Sequence, residues 1–136
     1  MVICAYIISS KQGFLYIRGE YPESITITND ALAKLRELGD AVVVPIGGGS
    51  SMDIAKLTSL ILGSNENIDE AWGVSNAKGP RLPLVLVPTT AGTGSEVTPI
   101  SIITVGEEEK KGVSSSIILP DIAILDPDLT IGLPAH

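Results

Sequence analysis

An apolar run over residues 41–46 ends in Gly47, Gly48 and Gly49 and gives way at Ser50 to an amphipathic pattern. A continuous apolar run suits a strand covered on both faces in a parallel sheet. The glycines let the backbone turn tightly and approach a ligand with no Cβ in the way. Pro45 lacks the amide proton of a sheet ladder and is expected at the strand's last position. Ser50 is expected to cap a helix over residues 51–62, with Asp53 completing a capping box. Ile54, Leu57 and Ile61 would share the buried face and Gly63 would stop the helix. Such a helix aims N–H groups and partial positive charge at the glycine turn, a seat for phosphate or pyrophosphate. Neither well-known phosphate loop is present: no Lys-Ser/Thr follows the last glycine, and Met52 stands where the dinucleotide fingerprint needs its third glycine. Ordinary strand-to-helix turns share these features, so a second stretch has to decide.

Residues 82–87 form a second buried-strand pattern, and in residues 88–98 seven of eleven positions are Gly, Ser or Thr. Ligands in open α/β sheets sit beyond the carboxyl ends of the strands, and two such turns favour binding over plain loops. Residues 2–8 and 14–18 read as a β-rich hairpin, and Asn29 or Asp30 caps a helix with Leu32, Leu35 and Leu38 on one face, ended by Gly39. A short helical turn is expected over residues 68–72, with Trp72 as packing and stacking on a ligand ring as the alternative. Residues 100–105 and 113–119 are expected to be strands joined across a charged, solvated tip at 106–112, and residues 120–127 add a short strand and a turn. No repeat or linker divides the chain, so residues 1–136 are read as one domain of α/β class: a partial Rossmann-like parallel sheet with flanking helices, a β-hairpin insertion and an N-terminal β-rich segment.

The net charge of −7 argues against nucleic acid or an anionic membrane as partner, since both select basic patches. Cys4 is the only cysteine, which excludes an intrachain disulfide and fits a reducing, cytoplasmic setting, with the thiol as a small buried hydrophobe. No apolar run approaches the roughly 20 residues of a membrane span, and the first eight residues are short for a signal core. The 44% hydrophobic content is high for a small monomer and points to an apolar face meant for a partner.

Three stretches together resemble the iron-dependent (group III) alcohol dehydrogenases. They are the Gly-Gly-Gly-Ser-x-x-Asp-x-Ala-Lys of residues 47–56, the Pro-Thr-Thr-Ala-Gly-Thr-Gly-Ser-Glu-Val-Thr-Pro of residues 88–99, and the run from Leu119-Pro120-Asp121 through Leu125-Asp126-Pro127-Asp128-Leu129-Thr130. The likeness extends over residues 40–134 and implies that family's NAD(P)-binding domain. By that resemblance Gly47, Gly48, Gly49 and Ser50, with Asp53 in the same group, would hold the pyrophosphate of NAD or NADP. Thr89, Thr90 and Thr93 would line the site, with Val97 beside it and Lys111 near a ribose or phosphate, Lys110 being its alternative. Residues 1–20 do not resemble the family's opening strand-helix-strand unit. The family's helical domain, whose aspartate and three histidines bind iron or zinc, is expected to be missing from a chain whose one histidine is the terminal His136. The family's metal promotes loss of the alcohol proton, as a bound metal lowers the pKa of water from about 16 to about 7. The expectation is therefore an NAD(P)-binding portion of such an enzyme, inactive alone or completed by a separate metal-binding chain. The alternatives are a noncatalytic nucleotide- or phosphate-binding module that self-associates as a homo-oligomer, and a gene fragment without selected function.

Overall fold

The computed structural model describes residues 42–106 and 108–131. The expected hairpin over residues 2–18, the helix ending at Gly39, Cys4 and His136 lie outside the described residues.

Among the described residues, six strands and two α-helices run in the order β1 (Ile46–Gly47), α1 (Gly49–Ser64), α2 (Ile68–Ala71), β2 (Gly73–Val74), β3 (Val85–Pro88), β4 (Ile100–Val105), β5 (Glu109–Ser114) and β6 (Ile122–Ala123). A parallel sheet has the order β1-β3-β6, and a second sheet has the order β2-β5-β4, with β4 and β5 antiparallel and β2 parallel to β5. The α/β class, the parallel sheet and the inserted hairpin agree with the sequence reading.

Several local expectations are corrected. Pairing continues past Pro45: Val43 bridges Leu84, Ile46 pairs with Val87 and Gly47 with Pro88. The carbonyl of Pro45 still accepts from the Val87 amide at 3.2 Å, so the ring removes a donor without ending the extended run. Helix α1 starts at Gly49 with Gly48 as its N-cap and no side-chain cap, so Ser50 and Asp53 form no capping box. The helix runs through Gly63 and ends at Asn65, whose left-handed φ of 56° closes it with an amide bond to the Ile61 carbonyl. Hairpin pairing extends to Val105 and Glu109, so β5 draws in Glu109, Lys110 and Lys111, and residues 116–118 form a 3₁₀ turn where strand was expected.

The buried face of α1 also differs. Ile54 is exposed, while Met52, Ala55, Lys56, Leu57, Ser59 and Leu60 are buried. The helix is wedged between both sheets, so a single apolar stripe does not describe it. Met52 and Ala55 pack with Leu84 and Leu86 of the parallel sheet. Leu57 and Leu60 pack with Ala71, Ala77, Val113 and Ile118 beside the second. Val85 and Val87 point to the other face, onto Val42, Val44, Ile46, Ile122 and Ile124. Period-2 alternation along β3 thus supplies both faces, which is why that strand reads as a continuous apolar run.

The amino ends of β3 and β6 are locked by Arg81 and Asp121. The guanidinium donates to both Asp121 carboxylate oxygens, at 2.6 and 2.9 Å, and to the carbonyls of Ile117, Leu82 and Leu119. Asp121 Oδ2 also accepts from the Leu84 amide at 2.8 Å. The Arg81 hydrogen bond holds the Asp121 carboxyl below its ordinary value. A folded-state pKa below the unfolded one stabilises the fold above the ordinary carboxylate range, about 4, and that stabilisation is lost as acidification passes down through the native value. Asp121→Asn is expected to cost about 1 kcal/mol near neutrality, a figure kept small because the pair is partly open to solvent. It should also flatten the acid side of a plot of urea midpoint against pH; a variant with the parental acid slope would contradict the assignment.

Candidate functional site

The strand order places three segments side by side at the carboxyl edge of the parallel sheet: the glycine turn after β1, residues 89–98 after β3, and residues 124–130 after β6. The first two are in contact. The Thr89 amide donates to the Gly47 carbonyl at 3.0 Å. A Cβ placed on Gly48 would lie 3.1 Å from Thr90 Oγ1, and one on Gly49 would lie 3.6 Å from Thr93 Cβ. Side chains at 48 and 49 would fill the space between the turns, the close-approach role glycine serves at phosphate-binding turns. With no side chain capping α1, the 16-residue helix directs its leading amides and the positive end of its dipole at this junction.

The hydroxyl-rich turn has its own scaffold. Gly92 and Gly94 have φ of 82° and 66°, a region where other residues are strained, and they fold the chain into a 3₁₀ turn at Ser95–Val97. Thr93 Oγ1 donates to Glu96 at 2.7 Å, and Ser95 Oγ donates to Asp53 Oδ1 at 2.6 Å. Between this turn and the segment after β6 lies an open cleft of about 220 Å³, whose walls include Thr90, Gly92, Glu96, Leu125, Asp126 and Thr130. That is less than the roughly 300–1,000 Å³ of pockets for drug-sized ligands, so it suits one part of an elongated molecule.

Gly47, Gly48, Gly49, Thr89, Thr90 and Thr93 are thus brought together at one edge, with Ser50 exposed on the first turn of α1. Val97 is 60% exposed at the last position of the 3₁₀ turn. The Asp53 carboxylate faces the hairpin: its second oxygen accepts from the Ile102 amide at 3.0 Å. Lys111 lies on β5, its ammonium 5.8 Å from the centre of the Trp72 ring and 3.8 Å from Glu109, and it is not among the cleft-lining residues. Trp72 packs half-buried against the cluster around Leu57 and Leu60, the packing role expected of it. Glu96, Leu125 and Asp126 escaped a reading based on the two small-residue turns. The signal available for Asp126 was the Asp-Pro-Asp pattern, in which Asp126 accepts from the Asp128 amide at 3.0 Å and starts a 3₁₀ turn.

Comparison with known proteins decides what this edge belongs to. The model of the iron-containing alcohol dehydrogenase family matches residues 16–127. The chain belongs to the iron-containing alcohol dehydrogenase family. Sulfoacetaldehyde reductase of Bilophila wadsworthia is 37% identical over 121 residues, covering 88% of this chain and 31% of that protein. Among solved structures, an alcohol dehydrogenase from Oenococcus oeni superposes with a TM-score of 0.65 at 31% identity, covering 81% of this chain and 29% of that one. Sulfoacetaldehyde reductase from Bifidobacterium kashiwanohense, crystallised in complex with NAD+, gives a TM-score of 0.61 at 35% identity, covering 81% of this chain and 30% of that one. The chain therefore spans about 30% of the length of these iron-containing alcohol dehydrogenase relatives. The resemblance read from residues 47–56, 88–99 and 119–130 agrees with this family, and the matched region begins upstream of those motifs. Among the described residues no helix is long and apolar enough to cross a membrane.

Proposed function

We propose that this chain supplies the NAD(P)-holding portion of an iron-dependent oxidoreductase that interconverts alcohols and aldehydes. The observation that carries the reading is the contact between the two turns, with Gly48 and Gly49 leaving free the volume their side chains would occupy beside Thr90 and Thr93. In this reading the amides around Gly47, Gly48, Gly49 and Ser50 receive the diphosphate, and the hydroxyls of Thr89, Thr90 and Thr93 add hydrogen bonds to it. Glu96 and Asp126 put carboxylates on the wall of the neighbouring cleft. A carboxylate accepts from hydroxyl and amino groups and repels phosphate, so the cleft takes a ribose or base and the glycine turn takes the diphosphate. A bound nicotinamide supplies the hydride acceptor or donor; the residues here orient it.

The metal is a different matter. Among the described residues no group of three or more His, Cys, Asp or Glu side chains is arranged to hold an ion, so they do not fit the iron or zinc of the family. We assign metal binding to a separate chain, and expect the 136-residue chain to be inactive by itself. Calorimetric titration with NADH, NADPH and ADP-ribose tests the binding reading. Saturable binding of ADP-ribose together with at least one dinucleotide is expected, and no heat from any of the three would overturn it. Robust NADH oxidation by the isolated chain with added Fe²⁺ or Zn²⁺ and an aldehyde panel would overturn the assignment of the metal elsewhere.

A further inference from the structure

Among the described residues Lys56 is the largest fully buried side chain, and it lies in the middle of α1. Its ammonium donates to Ser95 Oγ at 2.9 Å and to the Ile100 carbonyl at 2.7 Å, and stands 3.8 Å from Asp53 Oδ1. Ser95 Oγ in turn donates to the same Asp53 oxygen, forming a chain of hydrogen bonds from Lys56 through Ser95 to Asp53. Asp53 then reaches β4, its carboxylate accepting from the Ile102 amide and its carbonyl from Ser101 Oγ at 2.9 Å. One turn of α1 is thereby tied to the 3₁₀ turn that follows Thr93 and to the first residues of the hairpin.

Burial pushes the Lys56 ammonium below the ordinary lysine range, while Asp53 and Glu96 pull it back. An ion pair in such a place is weak evidence for stability, since an apolar side chain of similar volume often serves as well. What an apolar side chain does not do is select one position for Ser95. The residue next to Ser95 is Gly94, and the next is Thr93, which lies against Gly49. We propose that Lys56 is a positioning residue for the dinucleotide seat: it fixes Ser95, and with it the 93–95 turn, against the start of α1 without touching the ligand. This rests on the reading of the seat given above.

The test compares the parent with Lys56→Met, Ser95→Ala and Leu60→Ala in the full 136-residue chain. Leu60→Ala removes packing one turn further along the same helix, from the cluster with Leu57, Ala71 and Val113. NADH affinity is measured for each, and the amide resonances of Thr93 and Gly94 are recorded without ligand. Lys56→Met and Ser95→Ala are expected to weaken NADH roughly tenfold, the size of effect open to a residue that contacts no ligand, and to shift both resonances. Leu60→Ala should lower the thermal midpoint with affinity and resonances unchanged. Parental affinity in Lys56→Met, or an equal loss in Leu60→Ala, overturns the proposal; if Lys56→Met does not fold, Ser95→Ala decides on the same terms. If the parent binds neither NADH nor ADP-ribose, the seat itself is refuted, and the ligand-free resonances decide the positioning alone: shifted supports it, unshifted overturns it.

Discussion

Replacing Gly48 with valine is expected to lower the affinity for NAD(H) by at least about 100-fold, or about 2.7 kcal/mol, while the chain remains folded. The backbone at Gly48, with φ of −80° and ψ of −174°, is extended and open to any residue, so the substitution imposes no torsional strain. The effect comes from space. A Cβ there meets Thr90 Oγ1 at 3.1 Å and Cγ2 at 3.5 Å, and the two methyls of valine project further into the junction where the diphosphate would lie. Loss of a good N-cap residue and slight overpacking together cost about 1–3 kcal/mol of stability, which urea denaturation measures separately. Gly48→Ala should fall between parent and valine in affinity. Parental affinity in the valine variant would place the ligand elsewhere.

Gly63→Ala is expected to destabilise the chain by about 3 kcal/mol, against the sign that helix propensity alone gives. In a solvent-exposed helix interior the same change gains about 1 kcal/mol. Here the added Cβ would sit 2.5 Å from the Arg81 carbonyl carbon and 2.6 Å from the Leu82 amide nitrogen, and backbone does not rotate aside as a side-chain tip does. That contact is stitched by two bonds, the Leu82 amide to the Ser59 carbonyl at 2.9 Å and Ser59 Oγ to the Leu82 carbonyl at 2.6 Å, so pushing the segments apart breaks both. A urea midpoint equal to or above the parent's would show that α1 can shift without cost.

Gly63 also marks where sequence reading stops working. A glycine at the end of an apolar-periodic stretch has two physical uses, a helix stop and a close approach, and local sequence does not separate them. The partner that decides, Arg81, is eighteen positions away. The strand-turn-helix around residues 41–64, the buried strand after it and the hairpin were legible because each is set by contiguous pattern. The burial of Lys56 was not, because its partners lie 39 and 44 residues along the chain and nothing near it in sequence announces them. The capping box failed for a related reason: Ser50 and Asp53 have the right spacing, but the Asp53 carboxylate is taken by Ser95 and the Ile102 amide. At the site, the two small-residue turns were legible, whereas the third wall, with Leu125 and Asp126, depends on β6 lying beside β3, a fact of topology.

The pairing of Arg81 with Asp121 clamps β3 and β6 where those strands begin, opposite to the edge that carries the turns. Register and recognition are therefore written at different ends of the sheet. Under the proposed reading, turn residues can drift and retune the ligand, while strand alignment stays guarded by a lock at the opposite end of the strands.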